Sequence, residues 1–296
     1  MGFRRIAILS IGEMGFHWTR LLREQGVEVM TAIDGRSEVT RKRAENSGAR
    51  VLPLAQLVTE AELIVSIVVP SGAAKIAAEV GGALAKAGRK DCLYLDANAI
   101  SPMTAEAAAE TVSRGGGAFV DGCIIGSAAK LARAAVYVSG PHAEDLLVLK
   151  DAGLHVEVLG NKIGQASAFK IVYAGLTKGL QGLITELLLG ARKFDLLQPI
   201  LRRYDESFPG LVDKVGASIA ALTLHAGRRA EEMRELTETF RHYGLEPVIA
   251  PATRKILEEI AALELGQPSE SGAREVEMLE ALELFSSRGL LERKKS

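Results

Sequence analysis

The run Ile6-Ala7-Ile8-Leu9-Ser10-Ile11-Gly12-Glu13-Met14-Gly15 constrains this chain more than any other segment. A short apolar stretch of strand type leads through glycines into a helical pattern that continues to Gln25. A turn of this kind leaves backbone N–H groups open at a helix N-terminus, where the helix dipole favours negative charge. Gly12 gives a pyrophosphate room to approach, and Gly15 lets the helix pack close to the strand. Ser10 occupies the first position of the usual three-glycine fingerprint, so the match is partial and its context carries it. A strand precedes it, a helix follows, and a second strand ends at Asp34, about 20 residues on, the interval expected for a ribose contact. The segment therefore reads as the diphosphate site of a nicotinamide dinucleotide, with Ser10, Gly12, Glu13, Met14 and Gly15 as its contacts. An ordinary tight βα turn is the alternative.

Asp34-Gly35-Arg36-Ser37 carries two opposed signals. Asp34 suits the ribose hydroxyls of NAD, whereas Gly35, Arg36 and Ser37 suit the 2′-phosphate of NADP. Arg41, Lys42 and Arg43 add positive charge nearby, and NADP(H) is favoured over NAD(H). Val68, Val69 and Pro70 follow another apolar run and should line the cofactor with backbone. Asn98 reaches the same sheet edge, as cofactor contact or as turn residue, and Ser101 reads as an N-cap before Pro102.

Strands are expected at Ile6 to Leu9, Val27 to Ile33, Leu63 to Val69, Leu93 to Leu95, Phe119 to Ile125, Val136 to Val138 and His155 to Val158. Helical stretches such as Ala73 to Ala87 and Pro102 to Val112 alternate with them, the pattern of βα units on a parallel sheet. After Gly160 strand signals vanish. Ser167 to Lys193 reads as one long helix, and others follow at Gly210 to Leu224, Gly227 to His242 and Ala252 to Leu265. The fold class is an α/β Rossmann-type parallel sheet domain, residues 1–162, followed by an all-α C-terminal domain, residues 163–296. Glu292 to Ser296 form a charged tail that should fray.

Composition narrows the partners. With 48% hydrophobic residues, 25% charged residues and a formal net charge of −1, the chain lacks the basic excess of a nucleic-acid binder. The apolar start is broken by Gly12 and Glu13 and has no small-residue cleavage site, and no stretch approaches the ~20 apolar residues of a membrane span. A cytoplasmic location is expected. Cys92 and Cys123 lie in apolar runs without metal-type spacing, so buried thiols and no metal are expected. His17 and Trp18 follow the glycine turn and should pack under the cofactor, His225 should be an interior helix residue, and His142 and His155 structural or exposed.

Several segments together resemble the β-hydroxyacid dehydrogenase superfamily, which includes 3-hydroxyisobutyrate and 6-phosphogluconate dehydrogenases. They are Gly12-Glu13-Met14-Gly15, Gly35-Arg36-Ser37, Asp96-Ala97-Asn98-Ala99-Ile100-Ser101-Pro102, Phe119-Val120-Asp121-Gly122-Cys123-Ile124-Ile125-Gly126 and the helix from Ser167 to Gly179. The likeness is strongest to the 6-phosphogluconate dehydrogenase-like branch with a C-terminal domain of unknown function, DUF1932. It implies a Rossmann domain, a dimerising helical domain, an active site in the cleft between them and a catalytic lysine at Lys170. It also implies a substrate-holding turn at Ile125, Gly126 and Ser127. Three departures stand out. The superfamily usually has serine at Ile125, asparagine at Ala174 and a lysine at Glu231, so a simple 3-hydroxy acid held in the usual way is not expected.

Helical spacing independently puts Lys170, Tyr173, Thr177, Lys178 and Gln181 on one polar stripe of an apolar helix, facing water or a pocket. Lys170 and Tyr173 are the candidate catalytic residues, with Thr177 near the substrate. Burial would bring the Lys170 pKa toward the working pH, suiting it to proton transfer during hydride exchange between nicotinamide and a small hydroxy acid or related carbonyl compound. An imine reductase or an oxidative decarboxylase on the same fold is the nearest alternative, and a non-catalytic NADPH-binding protein the alternative of another class. Apolar helices from Leu183 to Leu224 suggest a homodimer through the helical domain.

Overall fold

The computed structural model describes residues 2–128, 134–266 and 277–292. Residues 293–296 of the expected charged tail lie outside the described residues. The chain divides into two compact units, Met1–Lys170 and Ile171–Ser296, and the division falls inside the long helix.

The first unit holds strands β1 (Arg5–Leu9), β2 (Glu28–Thr31), β3 (Arg50–Val51), β4 (Leu63–Ser66), β5 (Leu93–Asp96), β6 (Ala118–Ile125), β7 (Ala135–Ser139) and β8 (His155–Gly160). They form one sheet in the order β3-β2-β1-β4-β5-β6-β7-β8. Helices α1 (Glu13–Glu24), α2 (Glu38–Ser47), α3 (Leu54–Glu60), α4 (Ala73–Ala87) and α5 (Pro102–Arg114) alternate with the first strands. Strand residues alternate between two buried layers. Ile6 and Ile8 join Trp18 and Leu22 of α1 on one face. Ala7 and Leu9 join Leu57, Ile76, Val80 and Val112 of α3, α4 and α5 on the other, as expected of a sheet covered on both sides. Because β1 lies between β2 and β4, the strand order reverses there, and the carboxyl ends of β1 and β4 border the crevice where open α/β sheets bind ligands.

The sheet is parallel as expected except at one pair, β6 and β7, which run antiparallel from Asp121↔Ser139 to Ile125↔Ala135. Residues 126–134 between them are shorter than the dozen or so that a parallel crossover needs. Strand β4 stops at Ser66 rather than Val69 because the Val68 amide donates to the Asn98 side chain instead of a ladder partner. Likewise β2 stops at Thr31, short of Ile33. The two-residue β3 carries no apolar run to announce it.

Helix α6 (Gln165–Lys193) crosses from the first unit into the second, which is all helix among the described residues: α7 (Leu197–Ser207), α8 (Leu211–Ala220), α9 (Leu222–His242), α10 (Ile249–Ala261) and α11 (Met278–Ser287). The break between α8 and α9 falls at Ala221, not near Gly227, whose added Cβ would meet only the Ala261 Cβ at 3.8 Å. Ile184 and Leu188 of α6, Ile219, Met233, Leu236, Leu257, Ile260 and Phe285 form its core. The rest of α6 departs from ordinary amphipathicity. Gln181 and Thr185 are buried, while Val172, Leu176, Leu183 and Leu187 are exposed.

Candidate functional site

At the junction of β1 and α1, Ser10 adopts a left-handed φ of +65°, the conformation that the glycine usual at this fingerprint position adopts without strain. The Gly12 amide donates to the Ser10 carbonyl at 2.8 Å and closes the turn. Gly12 is the N-cap of α1, and no side chain caps the helix, which leaves its first amides for an outside acceptor. An added Cβ at Gly12 meets nothing within 4 Å, whereas one at Gly15 approaches the Ser10 carbonyl oxygen to 3.2 Å and Ile8 Cγ2 to 3.3 Å. Gly12 thus leaves open space, and Gly15 is required for close packing. An uncapped, glycine-lined terminus beside the crevice fits a dinucleotide diphosphate, which the backbone from Ser10 through Glu13 and Met14 to Gly15 would hold.

Beyond β2, the Arg36 amide donates to the Ile33 carbonyl at 3.1 Å, and Gly35 takes a φ of +68° in the turn. Asp34 is exposed and Arg36 half-buried. Arg41 Nε donates to the Arg36 carbonyl at 3.1 Å, which brings the Arg41 guanidinium to this turn. Ser37 caps α2, its Oγ accepting from the Thr40 amide at 3.3 Å. Lys42 pairs with Glu38 at 3.7 Å on the exposed helix face.

The ends of β4 and β5 are tied by Asn98, which is almost wholly buried. Its Oδ1 accepts from the Val68 amide at 2.6 Å, and its Nδ2 donates to Ser66 Oγ at 2.9 Å and Asp96 Oδ1 at 2.7 Å. Asn98 therefore braces the backbone that carries Val68, Val69 and Pro70. Burial pushes the Asp96 carboxyl up to about 6, against the pull of its hydrogen bonds from Asn98 and with a smaller push from Asp121. Asp96 Oδ2 is buried without a hydrogen-bond partner. Ser101 caps α5 as expected, accepting from the Thr104 amide at 3.2 Å.

A second buried acid, Asp121 of β6, organises the start of α6. Its Oδ2 accepts from the amides of Gly164 and Ser167, each at 3.0 Å, and from Ser139 Oγ at 3.1 Å. Its Oδ1 accepts from Ser167 Oγ at 2.6 Å. Ser139 Oγ accepts in turn from the Ala166 amide at 2.9 Å. One turn along, Lys170 Nζ donates to the Ile124 carbonyl at 2.6 Å, at the end of the same strand. The lysine thus stands beside the turn of Ile125, Gly126 and Ser127. Gly126 has a φ of +137°, and a Cβ there would lie 2.7 Å from Ala134 Cα. Ser127 is exposed and Ile125 half-buried. The role of Asp121 went unread in the sequence, although an acid within the apolar run Phe119 to Ile125 was its visible signal.

The polar stripe on α6 does not hold together as one face of a pocket. Tyr173 is about half exposed. Thr177 Oγ1 donates to the Ala174 carbonyl of its own helix at 3.0 Å. Lys178 pairs with Glu232 at 2.6 Å, and Gln181 Oε1 accepts from Arg229 Nη1 at 2.9 Å, so both belong to a polar seam between α6 and α9. Glu231 is exposed and pairs with Arg234 at 2.8 Å. Burial first, then Arg228 and Arg229, hold the His225 pKa below its usual value. Trp18 is a core residue, and His142 and His155 make exposed pairs with Asp145 and Glu157. Cys92 and Cys123 are free and buried, and burial pushes their thiols up to about 11 and about 12. Among the described residues, no group of three or more His, Cys, Asp or Glu side chains is gathered for a metal ion.

Residues 5–152 match the family described as the NAD binding domain of 6-phosphogluconate dehydrogenase, and residues 191–260 match DUF1932, a domain of unknown function. An uncharacterized 28.5 kDa protein of Methanothermus fervidus is 28% identical over 258 residues, covering 86% of this chain and 98% of its own length. The solved structure of a conserved protein of unknown function, MTH1747, described as similar to 3-hydroxyacid dehydrogenases, superposes with a TM-score of 0.75 at 28% identity, covering 88% of this chain and 99% of its own. A 3-hydroxyisobutyrate dehydrogenase of Mycobacterium tuberculosis shares the fold, with a TM-score of 0.73 at 16% identity over 96% of this chain and 99% of its own. With half its length matched and the glycine turn, crevice and sheet order in place, the chain belongs to the family of the NAD binding domain of 6-phosphogluconate dehydrogenase, joined to a DUF1932 domain.

Proposed function

We propose that this protein is an NADP-dependent oxidoreductase of the β-hydroxyacid dehydrogenase type, acting on a small hydroxy acid or related carbonyl compound. The observation that carries the reading is Lys170, whose Nζ is fixed at 2.6 Å from the Ile124 carbonyl, beside the Ile125–Ser127 turn. When bound, the nicotinamide supplies or accepts the hydride. Lys170 takes a proton from the substrate hydroxyl during oxidation and returns one to the carbonyl oxygen during reduction. While protonated, it stabilises negative charge developing on that oxygen. The backbone near Gly126 and Ser127, beside Lys170, holds the polar end of the substrate.

Arg36 in the turn and the Arg41 guanidinium bonded to its carbonyl support the choice of NADP, since a guanidinium suits a dianionic phosphate and Asp34 is exposed. Arg36→Ala should reduce the preference for NADPH over NADH about tenfold in paired titrations. The deciding experiment is turnover of Lys170→Met with NADPH on a panel of hydroxy acids, carbonyl compounds and cyclic imines. Turnover should fall about 10³-fold with cofactor affinity nearly intact. Undiminished turnover in that variant would remove Lys170 from the chemistry. Release of carbon dioxide would mark the decarboxylating variant of the reaction.

One observation favours a reading from another class. Ile125 and Ala174 offer no polar side chain where the superfamily resembled usually has serine and asparagine, an arrangement that a non-catalytic NADPH-binding protein would present. Tight NADPH binding without turnover across the whole panel would decide for it.

The protein acts as a homodimer through its helical half. Val172, Leu176, Leu183 and Leu187 lie exposed along α6, and a second copy supplies the same apolar face to cover them. Light scattering should give a dimer, and Leu183→Glu with Leu187→Glu a monomer. A monomeric unmodified chain would overturn this. Its setting is the cytoplasm, without nucleic-acid or membrane partners; the net charge is −1, and no described helix is long and apolar enough to cross a membrane.

A further inference from the structure

Helix α6 begins without a cap of its own. The residue before it, Gly164, has no side chain and takes a φ of +92°. The cap comes from elsewhere in the fold: Asp121 receives the Gly164 and Ser167 amides, and Ser139 receives the Ala166 amide. All three side chains of this network, Asp121, Ser139 and Ser167, are fully buried. Asp121 and Ile124 lie on one strand, and that strand holds the helix at its first turn and again at the tip of Lys170.

From this two-point mounting we infer that Asp121, through Ser167, is a positioning residue for Lys170. The inference rests on the reading of Lys170 as the proton-transfer group, but the geometry it concerns is measurable apart from turnover. A rotation of the helix by about 10° moves a Cα at the ~2.3 Å helix radius by only about 0.4 Å, yet swings the far end of a lysine by on the order of 1 Å. An error of that size at a reacting atom costs about 10²-fold in rate. The Ser167 amide and hydroxyl are both bound to Asp121, so the helix is held against rotation as well as translation. A carboxylate gives this hold to two amides and two hydroxyls at once, whereas an asparagine would set an NH₂ against part of the same donor set.

The test follows the pH dependence of Lys170 acetylation by acetic anhydride, read by mass spectrometry, with the exposed Lys75 as internal reference. Three variants are compared with the unmodified protein: Asp121→Asn, Ser167→Ala and Ser167→Thr. Asp121→Asn and Ser167→Ala should raise Lys170 labelling relative to Lys75 about tenfold and shift its pH profile, as the ammonium leaves the Ile124 carbonyl. Ser167→Thr keeps the hydroxyl and should restore the original profile. NADPH affinity should change less than threefold in all of them, since the β1–α1 junction is untouched. An unaltered Lys170 profile in folded Ser167→Ala would overturn the inference, and this milder variant decides the matter if Asp121→Asn does not fold. Unchanged turnover in Lys170→Met would instead defeat the catalytic reading and leave the labelling result standing.

Discussion

Two helices of the first unit begin at positions that matter for the site, and their N-termini are treated in opposite ways. Helix α1 starts at Gly12 with no side-chain cap and open space where a Cβ would go. Helix α6 starts at Gly164, and its amides are already taken by Asp121 and Ser139. Both ends carry the same partial positive charge and the same unsatisfied donors. The first leaves them open, for the cofactor's phosphates in the function proposed above, and the second neutralises them with the protein's own carboxylate. The difference teaches that an anion site is made as much by withholding a cap as by placing a glycine.

The comparison can be broken most severely at Asp121. Asp121→Ala strips acceptors from two amides and two hydroxyls in a buried setting and should cost about 4 kcal/mol in denaturant unfolding. A loss under 1 kcal/mol would mean that the cap is dispensable. Next comes the neighbouring acid. Asp96 is raised from 3.8 to about 6 in the folded protein, so between those values the folded state binds more protons than the unfolded one. Stability should therefore fall as pH rises from about 4 to about 6, by about 3 kcal/mol in all. Asp96→Asn should flatten that slope, and an unchanged slope would assign it to another group.

A third substitution gives α1 what α6 has. Gly12→Asp places a carboxylate at the open terminus, where it caps the helix and occupies the phosphate position. Helix stability should rise by about 0.5 kcal/mol while NADPH affinity falls about 100-fold, or ~2.7 kcal/mol. Retained affinity in calorimetry would show that the diphosphate binds elsewhere. The smallest effect belongs to Ser10. Ser10→Gly removes the strain of a φ of +65° and should stabilise the fold by about 1 kcal/mol in thermal unfolding, with cofactor affinity unchanged. A destabilised variant would mean that the serine hydroxyl holds the turn.

The open terminus was legible in the sequence because everything that makes it is local: an apolar run, Gly12, Gly15 and a helical pattern lie within a dozen residues. The capped terminus was not, since Asp121, Ser139 and Ser167 are far apart in the chain and meet only through β6–β7 pairing. The antiparallel direction of that one pair was not legible either, for hydrophobic periodicity reports burial and not strand direction. Lys170 was found through family resemblance and helical spacing. Spacing alone left Lys178 and Gln181 open, because a polar residue turned inward against Glu232 or Arg229 has the same periodicity as one lining a pocket. Asn98 shows a third limit. Its position at a strand end was readable, but its bracing of Val68 and Ser66 needed the register of two strands.

The remote cap of α6 also bears on the order in which the chain acquires structure. The body of a long helix forms from local hydrogen bonds within microseconds, but its first turn here waits for partners 27 and 46 residues upstream. Without β6 and β7 in place the helix start would lack the acceptors of Asp121 and Ser139, and Lys170 the Ile124 carbonyl. The place of Lys170 thus depends on contacts distant in the chain, and its geometry reports that β6 and β7 stand in their native positions.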